Sequence, residues 1–280
     1  GAPEYLTAAG VIQSWVLEAH DVGAVLPLPG PSDDKYTRGV LGVVAGSPQY
    51  PGAGVLATGA ALHGGAGMVR YLGLAPEGIR ARYPEVVLHP DARPADVRVQ
   101  AWIVGPGLGG DDVARALLTE VLATDVPVLV DADAITLLAD APRLVRDRRA
   151  PTLLTPHDRE FERLFGDVGT DRLAAARRAA ADLDATVLLK GNATVIAEPD
   201  GQTYVNATGT PWLATAGSGD VLSGLIGSLL AAGLPCGLAA AVGAYVHGVA
   251  GQRAAAAGPP SATDILAELR GAIGSVVHDG

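Results

Sequence analysis

One short segment of this 280-residue chain joins an anion-binding backbone to a carboxylate. The segment 216–220 (AGSGD) leads directly into an apolar run. Because glycine has no side chain, Gly217 and Gly219 can turn backbone N–H groups outward at a helix start, where the helix dipole also favours an anion. Asp220 beside them is suited to removing a hydroxyl proton during phosphoryl transfer, and a helix cap is its alternative role. No lysine follows these glycines, so the segment is not a Walker-type phosphate loop.

Lys190 lies in a second candidate segment, Leu188–Thr194 (LLKGNAT). It is one of only two lysines in the chain, the other being Lys35. A strand is predicted to end just before it, and ligands of open α/β sheets bind beyond the carboxyl ends of strands. This position favours contact with a phosphate over the alternative, a solvated surface lysine.

Two glycine-rich loops are also predicted to follow strands. Residues 105–110 (GPGLGG) match the GxGxxG pattern of dinucleotide-binding folds, with Asp131 further along the chain. This loop lies in mid-chain and contains Pro106, so a glycine-rich ligand loop of another kind is the better interpretation. The other loop, residues 46–53 (GSPQYPGA), is predicted to be either a plain turn or a lid over the edge of the sheet.

Residues 155–160 (TPHDRE) have the features of a helix start. Thr155 is predicted to cap the helix, Pro156 to occupy its first position and Asp158 to close a capping box. Neither the cap nor the helix face requires His157. This side chain is therefore a candidate for function, with an ordinary surface or core histidine as the alternative.

Asp131 and Asp133 follow another predicted strand, at the same edge of the sheet. Paired carboxylates of this kind could hold Mg²⁺ beside a phosphate. They could also cap the helix that follows, which we expect for one of the two.

The net charge and the cysteine content limit the classes of partner and the cellular location that we expect. The formal net charge is -10 at pH 7, which repels phosphate backbones, so nucleic-acid binding is not expected. Cys236 is the only cysteine, which excludes an internal disulfide and favours a reducing, cytoplasmic location. Met68 is the only methionine, so we expect a chain that is trimmed, processed or cut from a longer protein. No signal peptide is visible at its N-terminus.

The stretch Val221–Gln252 contains no Asp, Glu, Lys or Arg. A membrane-spanning helix needs about 20 continuous apolar residues. Gly233-Leu234-Pro235 interrupts the stretch. We therefore expect two buried helices rich in small residues, and no membrane span.

Short β-branched runs alternate with alanine-rich stretches of helical length from Lys35 onward. The runs are continuously apolar, as in strands that are buried on both faces of a sheet. They predict an α/β fold, a doubly wound and mostly parallel sheet flanked by helices, in a single main domain over residues 35–280. The predicted strands are Val40–Ala45, Met68–Leu72, Val86–Leu88, Trp102–Val104, Val126–Val130, Thr152–Leu154 and Thr186–Leu189, followed by a hairpin of Ala193–Ala197 and Thr203–Val205.

The two ends of the chain are predicted to differ from this alternation. Residues 1–34 form a separate N-terminal segment in which Leu6–His20 is expected to be helical and Leu26–Asp34 an extended linker. The last third of the chain is predicted to be helical, over Gly217–Leu230, Cys236–Ala256 and Thr263–Val277.

Taken together and in order, these segments resemble the NAD(P)HX dehydratase family, which repairs hydrated nicotinamide cofactors and has the ribokinase-like fold. The resemblance covers about residues 35–277. The matching stretches are Lys35–Gly39, Ala45–Ala53, Gly105–Gly109, Val130–Ala134 (VDADA), Thr155–His157, Lys190–Thr194 (KGNAT), Asn206–Gly209 (NATG) and Ala214–Val221 (ATAGSGDV).

The resemblance implies a reaction, the dehydration of the 6S hydrate of NADH or NADPH (NADHX or NADPHX) with ADP or ATP as co-substrate and Mg²⁺ assisting. The hydrate carries a hydroxyl group on the reduced nicotinamide ring. Phosphorylation converts this poor leaving group into a good one. Asp220 would take the hydroxyl proton, and the N–H groups of Gly217, Ser218 and Gly219 would hold the charge that develops on the transferred phosphoryl group.

The resemblance also implies binding residues and partners, without assigning a metal ligand. Like other family members, the chain would form a homo-oligomer and could be fused to, or partnered with, an NAD(P)HX epimerase. The implied nucleotide contacts are Lys190, Gly191, Asn192, Ala193, Thr194 and Gly219, and the implied contacts to the hydrated cofactor are Ala53, Gly107, His157 and Asp220, with Asn206 as a further candidate.

Two other functions are compatible with these segments. A ribokinase-superfamily kinase for a vitamin precursor or sugar would share Asp220 and the anion hole but would stop at a stable phosphorylated product. A non-catalytic adenylate-sensing module would bind nucleotide without turnover.

Overall fold

A ten-stranded sheet forms the centre of the computed structural model, which describes residues 14–279 and the side chains of residues 14–277. Seven neighbouring pairs of strands are parallel, and only the pairs that involve the ninth strand are antiparallel. The strands are β1 (Ser14–Trp15), β2 (Val40–Val44), β3 (Met68–Tyr71), β4 (Val87–Leu88), β5 (Ala101–Val104), β6 (Val128–Val130), β7 (Thr152–Leu154), β8 (Thr186–Leu189), β9 (Thr194–Ala197) and β10 (Thr203–Asn206), in the spatial order β1-β10-β9-β8-β7-β6-β5-β2-β3-β4.

Helices cover both faces of this sheet. They are α1 (Ala19–Val25), α2 (Pro51–His63), α3 (Pro76–Arg82), α4 (Asp112–Leu122), α5 (Asp133–Leu138), α6 (Arg143–Arg146), α7 (Asp158–Phe165), α8 (Arg172–Leu183), α9 (Ser218–Ala231), α10 (Cys236–Ala255) and α11 (Ala262–Asp279). Helices α1–α3 and α9–α11 contribute to one apolar core, and α4–α8 contribute to the cores on the opposite face.

Alternate residues of each central strand point into these two layers, as β6 illustrates. Leu129 packs in the core that contains α9 and α10, whereas Val128 and Val130 pack in the core that contains α4 and α5. All three are completely buried. Burial on both faces explains why these strands have continuous apolar sequences.

The predicted fold class is confirmed, a doubly wound and mostly parallel α/β sheet. The strands Thr152–Leu154 and Thr186–Leu189 have the predicted bounds, and β9 and β10 form the predicted hairpin. The stretch from Val221 to Gln252 forms the two predicted helices, α9 and α10. Within residues 14–279, no helix combines the length and apolarity needed to cross a bilayer.

The expected helix Leu6–His20 is wrong where it can be compared with the structure. Its residues 6–13 lie outside the described part of the chain. Ser14–Trp15 forms a short strand parallel to β10, and α1 begins only at Ala19. Tertiary pairing decides this conformation, since the Ser14 hydroxyl lies 2.9 Å from the Thr203 hydroxyl and 3.0 Å from an Arg177 guanidinium nitrogen. The domain boundary between residues 34 and 35 stays a prediction.

Five of the parallel strands end at the same edge of the sheet, and each leads into a candidate segment. Gly46 lies just beyond β2, Gly105 beyond β5, Asp131 beyond β6, Thr155 beyond β7 and Lys190 beyond β8. The topology therefore gathers segments from five separate parts of the chain along one edge.

Candidate active site

The start of α9 is an open anion hole. Gly217 is the N-cap residue, with a left-handed φ of 86°, and a Cβ atom there would lie 2.5 Å from Leu56 Cδ1, so only glycine fits. The N–H groups of Gly217 and Gly219 make no hydrogen bond to any other described residue. The Ser218 N–H is used in a turn, 3.3 Å from the Thr215 carbonyl oxygen. Two of the three predicted amides are thus free for a ligand.

Asp220 lies in the first turn of α9 but does not cap the helix. Its carboxylate has no hydrogen-bond donor among the residues that the structure describes, and its Oδ2 lies 3.8 Å from the position that a Cβ of residue 217 would occupy. Burial raises the pKa of the Asp220 carboxyl to about 7, the charge of Asp131 adds to the rise, and the Lys190 ammonium opposes it. An uncommitted carboxylate with this pKa is suited to act as a general base near neutral pH.

Lys190 reaches the same anion hole from the end of β8. Its Nζ lies 3.5 Å from the position that a Cβ of Gly219 would occupy. The ammonium is 2.8 Å from Asp131 Oδ1 and 3.7 Å from Glu160 Oε2. Burial opposes the charge on Lys190, but these two carboxylates outweigh it and raise the pKa of the lysine. The cation therefore remains charged beside the open amides.

Asp131 is a buried acceptor for two groups from distant elements. It is 1% exposed, its Oδ1 accepts from Lys190, and its Oδ2 accepts from the Ser223 hydroxyl of α9 at 2.7 Å. Asp133 accepts instead from the Gly109 N–H at 2.8 Å and so orders the glycine-rich loop.

The structure contradicts one of the two roles expected for Asp131 and Asp133. The N-cap residue of α5 is Ala132, and no side chain caps this helix, so the expected capping role is wrong. Within the described residues, no group of three or more His, Cys, Asp or Glu side chains is placed to hold a metal ion. Binding of magnesium by this pair beside a nucleotide phosphate stays a prediction.

The predicted nucleotide segment forms the exposed turn between β8 and β9. Gly191, Asn192 and Ala193 are exposed at its tip. Arg172 holds the base of the turn, because its guanidinium donates to the Lys190 carbonyl oxygen at 2.8 Å and to Asp158 Oδ1 at 2.8 Å. A Cβ atom on Gly191 would lie 2.6 Å from Arg172 Nη2, so a side chain at residue 191 would displace this guanidinium.

The two glycine-rich loops meet, and they bring Ala53 and Gly107 together. A Cβ atom on Gly107 would lie 2.6 Å from the Ala53 Cβ, and Gly107 has a left-handed φ of 60°. The Gly46 N–H donates to the Pro106 carbonyl oxygen at 2.7 Å and joins the loops. Ala53 lies in the first turn of α2, which begins at Pro51. The start of this helix is next to the GPGLGG loop.

His157 has the capping role that the sequence analysis assigned to Thr155, so that assignment was wrong. The N-cap residue of α7 is His157, whose Nδ1 accepts from the Glu160 N–H at 3.2 Å, while its own N–H donates to Glu160 Oε2 at 2.8 Å. The capping box is closed by Glu160 rather than by Asp158. Its Nε2 lies 3.5 Å from Glu160 Oε1, and half of the side chain is exposed, so one edge of the ring is open to a ligand.

Asn206 uses its side chain within the fold. Its amide nitrogen donates to the carbonyl oxygens of Thr208 and Ala244 at 3.1 and 3.2 Å, and its Oδ1 accepts from the Thr208 hydroxyl at 2.9 Å. These bonds hold the end of β10 against α10. A ligand contact is therefore not required to explain this residue.

His247 of α10 is a site residue that the sequence analysis missed. Its Nε2 lies 3.2 Å from the Ser218 hydroxyl at the start of α9, and burial lowers the pKa of this histidine to about 4. The imidazole is therefore neutral at neutral pH and orients Ser218. Its sequence signal was an imidazole inside a stretch without Asp, Glu, Lys or Arg.

Comparison with known proteins gives one consistent family. A family model described as NAD(P)H-hydrate dehydratase matches residues 41–269. The bifunctional NAD(P)H-hydrate repair enzyme of Mycobacterium tuberculosis is 60% identical over 225 residues, which are 80% of this chain and 47% of that protein. The ADP-dependent (S)-NAD(P)H-hydrate dehydratase of Neisseria meningitidis serogroup B is 44% identical over 230 residues, 77% of each chain. This chain spans about half the length of the bifunctional relatives that it matches.

Solved structures support the same relationship. A ribokinase-like superfamily protein from Enterococcus faecalis V583 has a TM-score of 0.85 and 27% identity, covering 94% of this chain and 96% of that one. The ADP/ATP-dependent NAD(P)H-hydrate dehydratase of Bacillus subtilis, co-crystallised with ATP and Mg²⁺, has a TM-score of 0.81 and 31% identity, covering 94% of this chain and 97% of that one. The expected ribokinase-like fold is thereby confirmed.

Proposed function

This chain belongs to the NAD(P)H-hydrate dehydratase family, and we propose that it uses ADP to dehydrate the 6S hydrates of NADH and NADPH, returning the reduced cofactors. One observation supports this proposal above the others. Asp220 has no hydrogen-bond partner in the described chain and adjoins the free amides of Gly217 and Gly219, with the Lys190 ammonium beside them. A base, an anion hole and a cation meet at one point, as phosphoryl transfer to a hydroxyl requires.

The first step transfers a phosphoryl group to the hydroxyl of the hydrate. Asp220 takes the hydroxyl proton while the oxygen forms a bond to the terminal phosphorus of ADP, and the bond from that phosphorus to the AMP oxygen breaks. The amides of Gly217 and Gly219 and the Lys190 ammonium stabilise the charge on the transferred group. Because they are held in place before the reaction, they need little reorganisation in the transition state.

The second step releases the phosphate. The lone pair of the ring nitrogen expels phosphate as the carbon–oxygen bond breaks. The neighbouring ring carbon then loses a proton to water, which restores the dihydropyridine. The products are the reduced cofactor, AMP and phosphate. With ATP in place of ADP, the same steps would yield ADP and phosphate.

The binding residues are assigned within the same proposal. The turn from Lys190 to Thr194 holds the nucleotide together with Gly219. Ala53 and Gly107, which touch each other, and the exposed ring of His157 hold the hydrated cofactor. We leave Asn206 out, because its polar atoms are used within the fold.

Further properties of the family complete the proposal. Mg²⁺ would enter with the phosphates of the nucleotide, since this ion commonly keeps several waters and takes few protein ligands. A cytoplasmic location, a homo-oligomeric state and partnership with an NAD(P)HX epimerase are proposed alongside it. The bifunctional relatives that match this chain support the last of these.

Product analysis tests the proposed reaction. The chain is incubated with NADHX and either ADP or ATP. The absorbance of the dihydropyridine is followed together with the amounts of AMP and phosphate that form. Recovery of NADH with one AMP and one phosphate per turnover is expected with ADP. A stable phosphorylated substrate would identify a kinase instead, and nucleotide binding without any product would identify a sensing module.

A further inference from the structure

We propose that Asp131 is a positioning residue, which holds the Lys190 ammonium over the open end of α9 without itself touching either substrate. This inference rests on the proposed function for the identity of the nucleotide. Asp131 lies at the end of β6, is 1% exposed, and makes one short contact with each carboxylate oxygen. It is therefore too deeply buried to touch a substrate, and the protein holds both of its oxygens.

The two partners of Asp131 come from the two sides of the anion hole. Oδ1 accepts from Lys190 at the end of β8, 59 residues away, and Oδ2 accepts from Ser223 of α9, 92 residues away. Ser223 is four residues after Gly219, so the two lie on the same face of the helix. One carboxylate thus determines how far the ammonium stands from the Gly219 amide.

Lys190 needs such a fixed partner because a second carboxylate competes for it. Glu160 Oε2 of α7 lies 3.7 Å from the ammonium, compared with 2.8 Å for Asp131 Oδ1. A lysine side chain is a flexible stem with a point charge at its end. Without Asp131, the ammonium would move toward Glu160 and away from the helix start.

The charge on Asp131 also requires an explanation by itself. A buried ion pair pays a large desolvation penalty, and well-packed apolar residues can often replace it without loss of stability. A buried carboxylate that joins a lysine to a helix serine is therefore weak evidence for stability. Its placement between the two proposed nucleotide contacts, Lys190 and Gly219, gives it a role in binding.

The composition of the chain allows a direct test, because Lys35 and Lys190 are its only lysines. In a Lys35→Arg background, ¹⁵N-labelled lysine gives one ammonium signal in NMR spectra, that of Lys190. We expect this signal to have slowly exchanging protons and to shift when ADP and Mg²⁺ are added. Neither measurement requires turnover of NADHX, so a loss of dehydratase activity would not affect this result.

Asp131→Asn removes the charge and keeps the shape. We expect the Lys190 protons to exchange faster. The Kd and KM for ADP should rise about 10- to 100-fold, which is the usual effect of losing a hydrogen bond to a charged group. The fall in kcat should be smaller. A folded variant that retains the parental Lys190 signal and ADP affinity would overturn the proposal.

Two serines of α9 provide a matched pair if Asp131→Asn does not fold. Ser223 donates to Asp131, whereas Ser228, which is equally buried, donates to the Leu225 carbonyl oxygen of its own helix at 2.7 Å. We expect Ser223→Ala to change the Lys190 signal and raise the KM for ADP several-fold, and Ser228→Ala to change neither. Equal behaviour of the two variants would overturn the link between Asp131 and α9.

Discussion

The two edges of the parallel sheet differ in their chemistry. The carboxyl edge carries Asp131, Lys190 and the open start of α9. The amino edge, where β5, β6 and β7 begin, has a cavity of about 500 Å³ whose lining residues include no Asp, Glu, Lys, Arg or His. The lining includes Pro127, Pro151 and Cys236. Volume is available at the amino edge, but convergent polar groups are at the carboxyl edge, and those groups identify the site.

Burial raises one pKa at each edge, but the two shifts have opposite consequences for reactivity. It raises the pKa of the Asp220 carboxyl to about 7 and that of the Cys236 thiol to about 12. In both cases the low-dielectric surroundings disfavour the charged form. The carboxyl therefore titrates in the physiological range, where it can exchange a proton with a substrate, whereas the thiol stays protonated and unreactive. A shifted pKa points to function only where it brings the group into the working pH range.

The largest effect is expected from Asp220→Asn at the carboxyl edge. The amide cannot accept the hydroxyl proton, so kcat should fall by about 10²–10⁴-fold, the usual contribution of a general base. Binding of ADP, measured by calorimetry, should survive because Lys190 and the amides are unchanged. A near-normal rate would contradict the assignment of Asp220 as the base.

The pH dependence of the reaction should follow the same carboxyl. Asp220 must be ionised to act as a base, so the proposal predicts that kcat/KM falls as the pH drops below about 7, by about tenfold per pH unit. Steady-state assays between pH 5 and 9 would show this acid limb. A profile that stays flat down to pH 5 would mean that burial does not control the base.

A smaller effect is expected from Gly219→Ala, with Gly274→Ala of α11 as its control. A Cβ at residue 219 would lie 3.5 Å from Lys190 Nζ, in the proposed phosphate space, whereas one at residue 274 has no neighbour within 4 Å. We expect the KM for ADP to rise about tenfold in the first variant, equivalent to about 1.4 kcal/mol. The control should keep its kinetics and gain up to ~1 kcal/mol in the free energy of unfolding, since alanine favours a helix interior. Equal kinetics of the two variants would exclude a phosphate at Gly219.

The smallest effect on activity is expected at the amino edge. Cys236→Ala should leave kcat and both KM values unchanged, because the thiol lies at the opposite ends of the strands from Lys190. The native thiol should also resist alkylation until the protein unfolds, since burial keeps it protonated. Rapid alkylation of the folded protein, or a changed KM, would mean that the two edges are not independent.

The sequence by itself determined the fold class and the backbone parts of the site. Continuous apolar runs such as Val128–Val130 can be stable only when both faces are covered, and the glycines of residues 216–219 indicate a helix start with free amides. Such features depend on neighbours in the chain. They could therefore be predicted without knowing which segments pack together.

Only the tertiary structure decided which side chains are partners. Asp131 accepts from Lys190 and Ser223, and His247 contacts Ser218 across 29 residues. Each choice depends on which of several nearby donors or acceptors lies closest after distant segments have packed. Sequence spacing does not contain this information, because hydrogen bonds and ion pairs act over a few ångströms in space and not along the chain.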